Sequence, residues 1–281
     1  MRSTIAILGL AFTACLPKDT RPVPGSIHVT VSAKSAPSWI TSDGWSVTYD
    51  RFLIDVGHAN LSGDSCAEYS DARYDRIFDG HQLGPQKVSE SYALGHCSFR
   101  FRLNSPDLET LLGAGVTEAD KTEMRTPGSD FSAKDRGVSL LVAGHATKEG
   151  VEKSFSWSFR RRVGYSDCAV KEDDANRSGV VLRSGETLPI DIELHGEALL
   201  QVDSEPEDAP LVFDTFAQAD ADDDGVITLE ELDAVPYLVT STKADAGGPP
   251  QSFGQFVYVT QVPRVARYLG TGTCTIVQQA D

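Results

Sequence analysis

Apolar and polar residues alternate along much of the first two hundred positions, the mark of strands with one buried face. Ser26 to Ser32 alternates cleanly, and Trp45 to Val56 keeps the pattern on both sides of a break near Asp50. Residues 63–86 read as loop, with Gly63, Asp64, Ser65, Asp79, Gly80, Gly84 and Pro85. Alternation returns from Ser89 to Leu103, and residues 104–136 predict polar loop with one short helix near Asp107–Leu112. Val138–Thr147 and Ser154–Arg160 flank Lys148-Glu149-Gly150, which predicts a hairpin with a glycine-containing turn. Val180–Arg183 and Leu188–Leu200 add two or three more strands. About seven to nine short strands with almost no long helical periodicity predict a mainly β chain. The expected body is an antiparallel β-sandwich over residues 26–202, with a barrel as the alternative closure.

The pattern changes over residues 203–281. Lys243 to Ser252 holds the breakers Gly247-Gly248-Pro249-Pro250. Phe253, Phe256, Val257 and Thr260 then fall at helical spacing, predicting a helix from Phe253 to Gln261 stopped by Pro263. A strand through Phe256–Thr260 is the alternative.

Charge narrows the range of partners. The 281 residues carry a formal net charge of −16, which speaks against a nucleic-acid backbone or an anionic membrane surface. Between Ser184 and Thr242 there are sixteen acidic residues and no Lys or Arg, so the rest of the chain is close to neutral. That concentration fits a cation-binding module.

The start of the chain reads as an address. Arg2 precedes an apolar run from Ile5 to Ala14, the proportions of a secretory signal peptide over residues 1–14 and too short to span a bilayer. Phe12-Thr13-Ala14-Cys15, with Phe12 where Leu is usual, resembles the bacterial lipoprotein box. That resemblance implies lipidation of Cys15, a membrane anchor and a place in the cell envelope, with residues 15–25 as a proline-rich tether. With Cys15 set aside, Cys66, Cys97, Cys168 and Cys274 remain, an even number that reads as two disulfides in an oxidising compartment. Of the three connectivities, Cys66 with Cys97 and Cys168 with Cys274 is preferred, on sequence nearness for the first pair.

One stretch has the spacing of a cation site. From Asp220 to Glu231 the chain reads Asp-Ala-Asp-Asp-Asp-Gly-Val-Ile-Thr-Leu-Glu-Glu. A hard cation takes six to eight oxygen ligands, and a twelve-residue loop supplies them from alternate positions and a closing bidentate glutamate. Asp220, Asp222 and Asp224 stand at loop positions 1, 3 and 5, and Gly225 stands at the sharp turn. Val226 offers a carbonyl, Thr228 a direct or water-bridged contact, and Glu231 closes the loop. With its flanks, residues 212–235, this resembles a single EF-hand, and the resemblance implies Ca2+ as the ligand. Val212 and Phe216 are expected on one face of an entering helix, and Leu232 and Val235 on an exiting helix that Pro236 keeps short or kinks. The chain shows no second calcium loop, since Asp245 is the only acidic residue between Val235 and Asp281. The expected partner of the lone hand is the C-terminal helix, with Cys274 tying the end back to the β body. Only Met1 and Met124 are present, so a sensor groove is disfavoured and calcium is expected as a structural staple.

Other chemistry is less local. His58, His81, His96 and His145 each follow a glycine, and a transition-metal site built from two or three of them is one alternative. No G-x-S-x-G elbow or phosphate-cradling glycine loop occurs, so no catalytic residue is assigned. An envelope enzyme of hydrolase type, with calcium supporting its fold, is the other alternative. Asp173-Asp174-Ala175-Asn176 is expected to be a polar hairpin loop.

Overall fold

The computed structural model describes residues 21–34, 36–130, 133–172, 175–202, 209–237 and 251–278. The expected signal peptide, Cys15, most of the expected tether, the Gly-Pro stretch and Asp173-Asp174 lie outside the described residues.

The chain is mainly β, with 52% of it in strands and 16% in helices. It opens with β1 (Gly25–Ala33), β2 (Ser38–Ile40), β3 (Ser46–Ser62), β4 (Cys66–Arg73), β5 (Arg76–Asp79) and β6 (Gln86–Leu103). After β7 (Leu111–Leu112) come α1 (Glu118–Arg125), β8 (Gly128–Asp130) and β9 (Ala133–Arg136). The hairpin strands β10 (Leu140–Lys148) and β11 (Val151–Phe159) follow, then β12 (Val163–Glu172), β13 (Ala175–Ser178), β14 (Val180–Leu182) and β15 (Thr187–Leu194). The last segment holds α2 (Asp214–Ala217), β16 (Val226–Ile227), α3 (Leu229–Ala234), α4 (Phe253–Phe256), β17 (Ala266–Tyr268) and β18 (Thr273–Gln278).

Two long strands organise the sheet. The first half of β3 pairs with β10 and its second half with β6. In turn, β6 pairs with β1 and β4 along its first half and with β3 and β12 at its end. Sharing long strands along a diagonal curls one sheet in the order β16-β11-β10-β3-β6-β1-β15-β17. The sheet is mixed: β1 with β15, β5 with β7 and β11 with β16 run parallel, so a wholly antiparallel arrangement does not hold.

Alternation explains the core. Ile27, Val29 and Val31 of β1, Val47 and Tyr49 of β3, and Phe155, Trp157 and Phe159 of β11 all point inward and are buried. Phe213, Phe216, Ile227, Leu232, Phe253 and Phe256 belong to the same continuous cluster. The helical segment thus shares one core with the sheet. The break expected near Asp50 is a β-bulge, since Arg51 faces Ala143 and Tyr49 faces Gly144. The expected hairpin is present, with Lys148 opposite Val151 and both turn residues, Glu149 (φ 52°) and Gly150 (φ 86°), left-handed.

Three expectations fail for physical reasons. Residues 63–86 hold strands β4 and β5; β4 is largely exposed and so carries no alternation to read. Asp107–Leu112 is not a helix, because Asp107 Oδ1 accepts the N–H groups of Glu109 and Thr110 at 2.8 Å each and turns the chain into β7. The helix lies instead at α1, started by a reciprocal cap between Thr117 and Asp120 and held by the buried Met124. The predicted strand Leu188–Leu200 ends at Leu194, and Gly196–Leu200 forms a 3-10 turn.

The cysteines lie at disulfide distance in the pairs preferred from sequence, Cys66 with Cys97 and Cys168 with Cys274. The segment from Phe253 is helical: α4 continues as a π-helical turn to Gln261 and a 3-10 turn through Pro263.

Candidate metal centre

The loop from Asp220 to Glu231 is held from three sides. On the entering side, the Asp43 carboxylate accepts the N–H groups of Phe213 and Asp214 at 2.7 Å each and so caps α2 from the β2–β3 connection. Trp45 Nε1 and Lys148 Nζ both donate to Asp214 Oδ1, at 2.7 and 2.9 Å. The helix is a single turn beginning at Asp214, so Val212 stays outside it and Phe213 joins Phe216 as the buried pair. On the exiting side, α3 ends at Ala234, ahead of Pro236. The close approach of α4 to α3 depends on Gly254, where a Cβ would lie 2.8 Å from Asp233 N.

The third side is the sheet itself. Val226 and Ile227 form β16, which adds in parallel to the edge of β11 opposite Ser154 and Phe155. Ser154 N donates to the Gly225 carbonyl at 2.8 Å, and Trp157 Nε1 donates to the Ile227 carbonyl at 2.9 Å. Trp157 also stacks on Phe216, with ring centroids 5.4 Å apart. An edge strand of the body thus meets the loop where a second loop is absent from the sequence.

Within the loop, one carboxylate oxygen from each of Asp220, Asp222 and Asp224 converges within 4.8 Å. The turn that brings them together uses the left-handed backbone of Asp223 (φ 59°) and Gly225 (φ 85°). Asp222 Oδ1 accepts from Asp224 N at 3.3 Å, and Asp224 Oδ1 from Val226 N at 2.7 Å. Asp220 is the buried member. Its Oδ2 accepts from Gly225 N at 3.0 Å and from the Lys153 ammonium, whereas its Oδ1 is buried without a hydrogen-bond partner. A buried carboxylate oxygen left unpaired is costly, and a cation at the convergence of the three aspartates would satisfy it.

Glu231 stands apart from that convergence. Its Oε2 accepts from Thr228 N at 2.8 Å and Thr228 Oγ1 at 2.9 Å, and its Oε1 from Ala221 N at 3.2 Å. The Thr228 hydroxyl is likewise engaged in capping α3. The bond to Ala221 nonetheless brings the closing carboxylate back beside the first loop position. The Lys153 ammonium holds the Asp220 carboxyl below its ordinary range, and the Thr228 N–H does the same for Glu231. Both acids stay ionised at neutral pH, as ligands of a hard cation must.

The glycine-following histidines are dispersed. His58 pairs with Asp75, His81 with Asp79 and the Tyr49 carbonyl, His96 with the Ser178 carbonyl, and His145 with Asp50. Among the described residues, the three aspartates are the only set of three or more His, Cys, Asp or Glu whose ligand atoms converge.

A second concave site has a different chemistry. His58 (φ 51°) sits on a bulge of β3, and its Nδ1 lies 2.7 Å from Asp75 Oδ1. Asn104 Nδ2 supports the other Asp75 oxygen at 3.2 Å. Burial pushes the Asp75 carboxyl up, but His58 and Asn104 together bring it below its ordinary value. Only glycine fits at position 57, because a Cβ there would lie 1.7 Å from Asp75 Oδ1. The pair lines a cleft of about 640 Å³.

Sequence reasoning missed Lys153, Trp157 and the His58–Asp75 pair. Lys153 did leave a signal, as the charged residue in line with Phe155, Trp157 and Phe159 on the inward face of β11. Comparison with protein families, with curated proteins and with solved structures finds no match to this chain.

Proposed function

We propose that this protein is a calcium-binding component of the bacterial cell envelope, exported and lipid-anchored through Cys15. In this reading residues 212–235 are a single EF-hand-like module on a β-sandwich-like body, and the body is a binding or scaffold module. The observation that carries it is the buried carboxylate of Asp220, which converges with those of Asp222 and Asp224 and has one oxygen, Oδ1, without a hydrogen-bond partner. Asp220, Asp222 and Asp224 supply carboxylates, Val226 a carbonyl and Thr228 a direct or water-bridged contact. Glu231 joins by exchanging its capping bonds for the ion.

Calcium acts here as a staple. The loop is already tied to β11, and its helices set Phe216 and Leu232 in the common core, which leaves little for a sensor groove to expose. Extracellular modules of this kind have dissociation constants on the order of 10⁻⁴–10⁻³ M. At about 1 mM Ca2+ and a dissociation constant of about 0.1 mM, binding stabilises the fold by roughly 1.4 kcal/mol. The test is the melting temperature of residues 16–281 against Ca2+ concentration, with Asp220→Ala and Glu231→Ala beside it. A rise of a few degrees, lost in both variants, supports the site; a melting temperature indifferent to Ca2+ up to several millimolar removes it. Incorporation of labelled fatty acid into the full chain, lost in Cys15→Ser, tests the anchor.

One observation favours a second reading, an envelope enzyme. The buried Asp75 lies 2.7 Å from His58 Nδ1 and both residues line the cleft, a carboxylate–imidazole arrangement suited to general-base catalysis. A screen of ester, amide and glycoside substrates against wild type and His58→Gln decides it: hydrolysis abolished by the substitution supports an enzyme, and no turnover in either sets it aside.

A further inference from the structure

Strand β11 carries one residue that its own pattern does not explain. Phe155, Trp157 and Phe159 alternate with Ser156 and Ser158, and the odd-numbered side chains enter the core. Lys153 belongs to that inward series, where burial of an ammonium is costly unless it is paired. Its partner is Asp220, the first residue of the loop. The ammonium donates to Asp220 Oδ2, with 14% of the lysine side chain and none of the aspartate side chain exposed. The next residue, Ser154, is bonded to the Gly225 carbonyl, so the strand that carries the lysine is fixed against the loop.

We infer that Lys153 is a resident counter-cation of the loop that sets its calcium affinity. This rests on the calcium reading of the same loop and adds its regulation. Without calcium, the ammonium compensates the buried Asp220 charge and keeps the loop assembled. With calcium, a fixed positive charge remains on Oδ2 of a ligand carboxylate, where it repels the ion and withdraws charge from Asp220. The site is therefore preorganised but weak, as suits an environment rich in calcium. Binding is graded, without an ion-free unfolded state.

The experiment is calorimetric titration of chelator-stripped residues 16–281 with Ca2+, for wild type, Lys153→Met, Lys153→Gln and Lys153→Arg. The two neutral variants are expected to bind about tenfold tighter and the arginine variant within about twofold of wild type, because the effect is one of charge. Their ion-free melting temperatures should fall below that of wild type, and calcium should restore them. Lys153→Gln keeps a hydrogen-bond donor, so it decides the outcome if Lys153→Met fails to fold. Neutral variants that bind like wild type or more weakly overturn the inference, as does an arginine variant that tightens equally. If wild type and the neutral variants all bind nothing, the calcium reading itself is wrong. Tighter binding confined to the neutral variants upholds both.

Discussion

Trp157 Nε1 lies 2.9 Å from the carbonyl of Ile227, joining the middle of β11 to the eighth position of the acidic loop. Both residues are fully buried, so the bond has no water to replace it. Trp157→Phe keeps an aromatic ring against Phe155 and Phe216 but removes the donor. An orphaned buried carbonyl costs about 1–3 kcal/mol, so the variant should melt several degrees lower. It should also bind Ca2+ more weakly, because the loop's outgoing half loses a fixed point. Calorimetry of the variant checks both effects; an unchanged affinity would mean that the β11 edge is only packing.

Glu231 has two roles that one substitution separates. Its oxygens cap α3 through Thr228 and reach Ala221, and in the proposed complex they close the ion's coordination. Glu231→Gln retains one acceptor oxygen for the cap, so the ion-free protein should lose less than about 1 kcal/mol. A bidentate carboxylate cannot be replaced by an amide, so Ca2+ affinity should fall at least tenfold, on the order of 1.4 kcal/mol. Titrations with and without calcium read the two roles independently.

What could be read in the sequence follows from how local each feature is. The acidic spacing from Asp220 to Glu231 sits in twelve consecutive residues, and the alternation of β1 reflects a strand buried on one face. By contrast, β4 is exposed along most of its length and held by pairing with β6, so no pattern marks it. Helix α1 has Met124 as its one buried apolar side chain, and its buried Lys121 donates to the carbonyls of Leu108 and Thr110 at 2.7 and 2.6 Å. Such a helix carries little hydrophobic periodicity. The contacts of Lys153 and Trp157 with the loop span about seventy residues of sequence and exist only because β16 docks on β11. Local pattern cannot announce a contact made by the fold.

The two disulfides should differ in their effect. Cys66–Cys97 closes 31 residues and Cys168–Cys274 closes 106. In the chain-entropy account these stabilise by about 3.7 and about 4.8 kcal/mol. The second also ties β18 to β12, fastening the chain that follows α4. Replacing Cys168 and Cys274 with alanine should therefore destabilise the protein by about 1 kcal/mol more than replacing Cys66 and Cys97. It should also raise hydrogen exchange in residues 266–278. Equal losses in denaturant melts, with exchange unchanged, would mean that the strand pairing alone holds the end of the chain.

Asp55 should impose a pH dependence separate from the acidic loop. Its carboxyl is fully buried, neither oxygen has a hydrogen-bond partner, and it shares a face of β3 with Leu53. Burial pushes its pKa well above the ordinary range; the charges of Asp75 and Asp107 add to this, and Lys121 opposes it. The folded protein thus keeps a proton that the unfolded chain has released above about pH 4. Stability attributable to this group is fully present below that pH and declines as pH rises towards the folded value. Each unit of difference is worth about 1.4 kcal/mol. Asp55→Asn carries no such proton, so its stability relative to wild type should increase steadily from pH 4 upward. Paired denaturant melts from pH 3 to 8 measure that difference directly. A difference that stays constant with pH would mean that Asp55 is ionised in the folded protein.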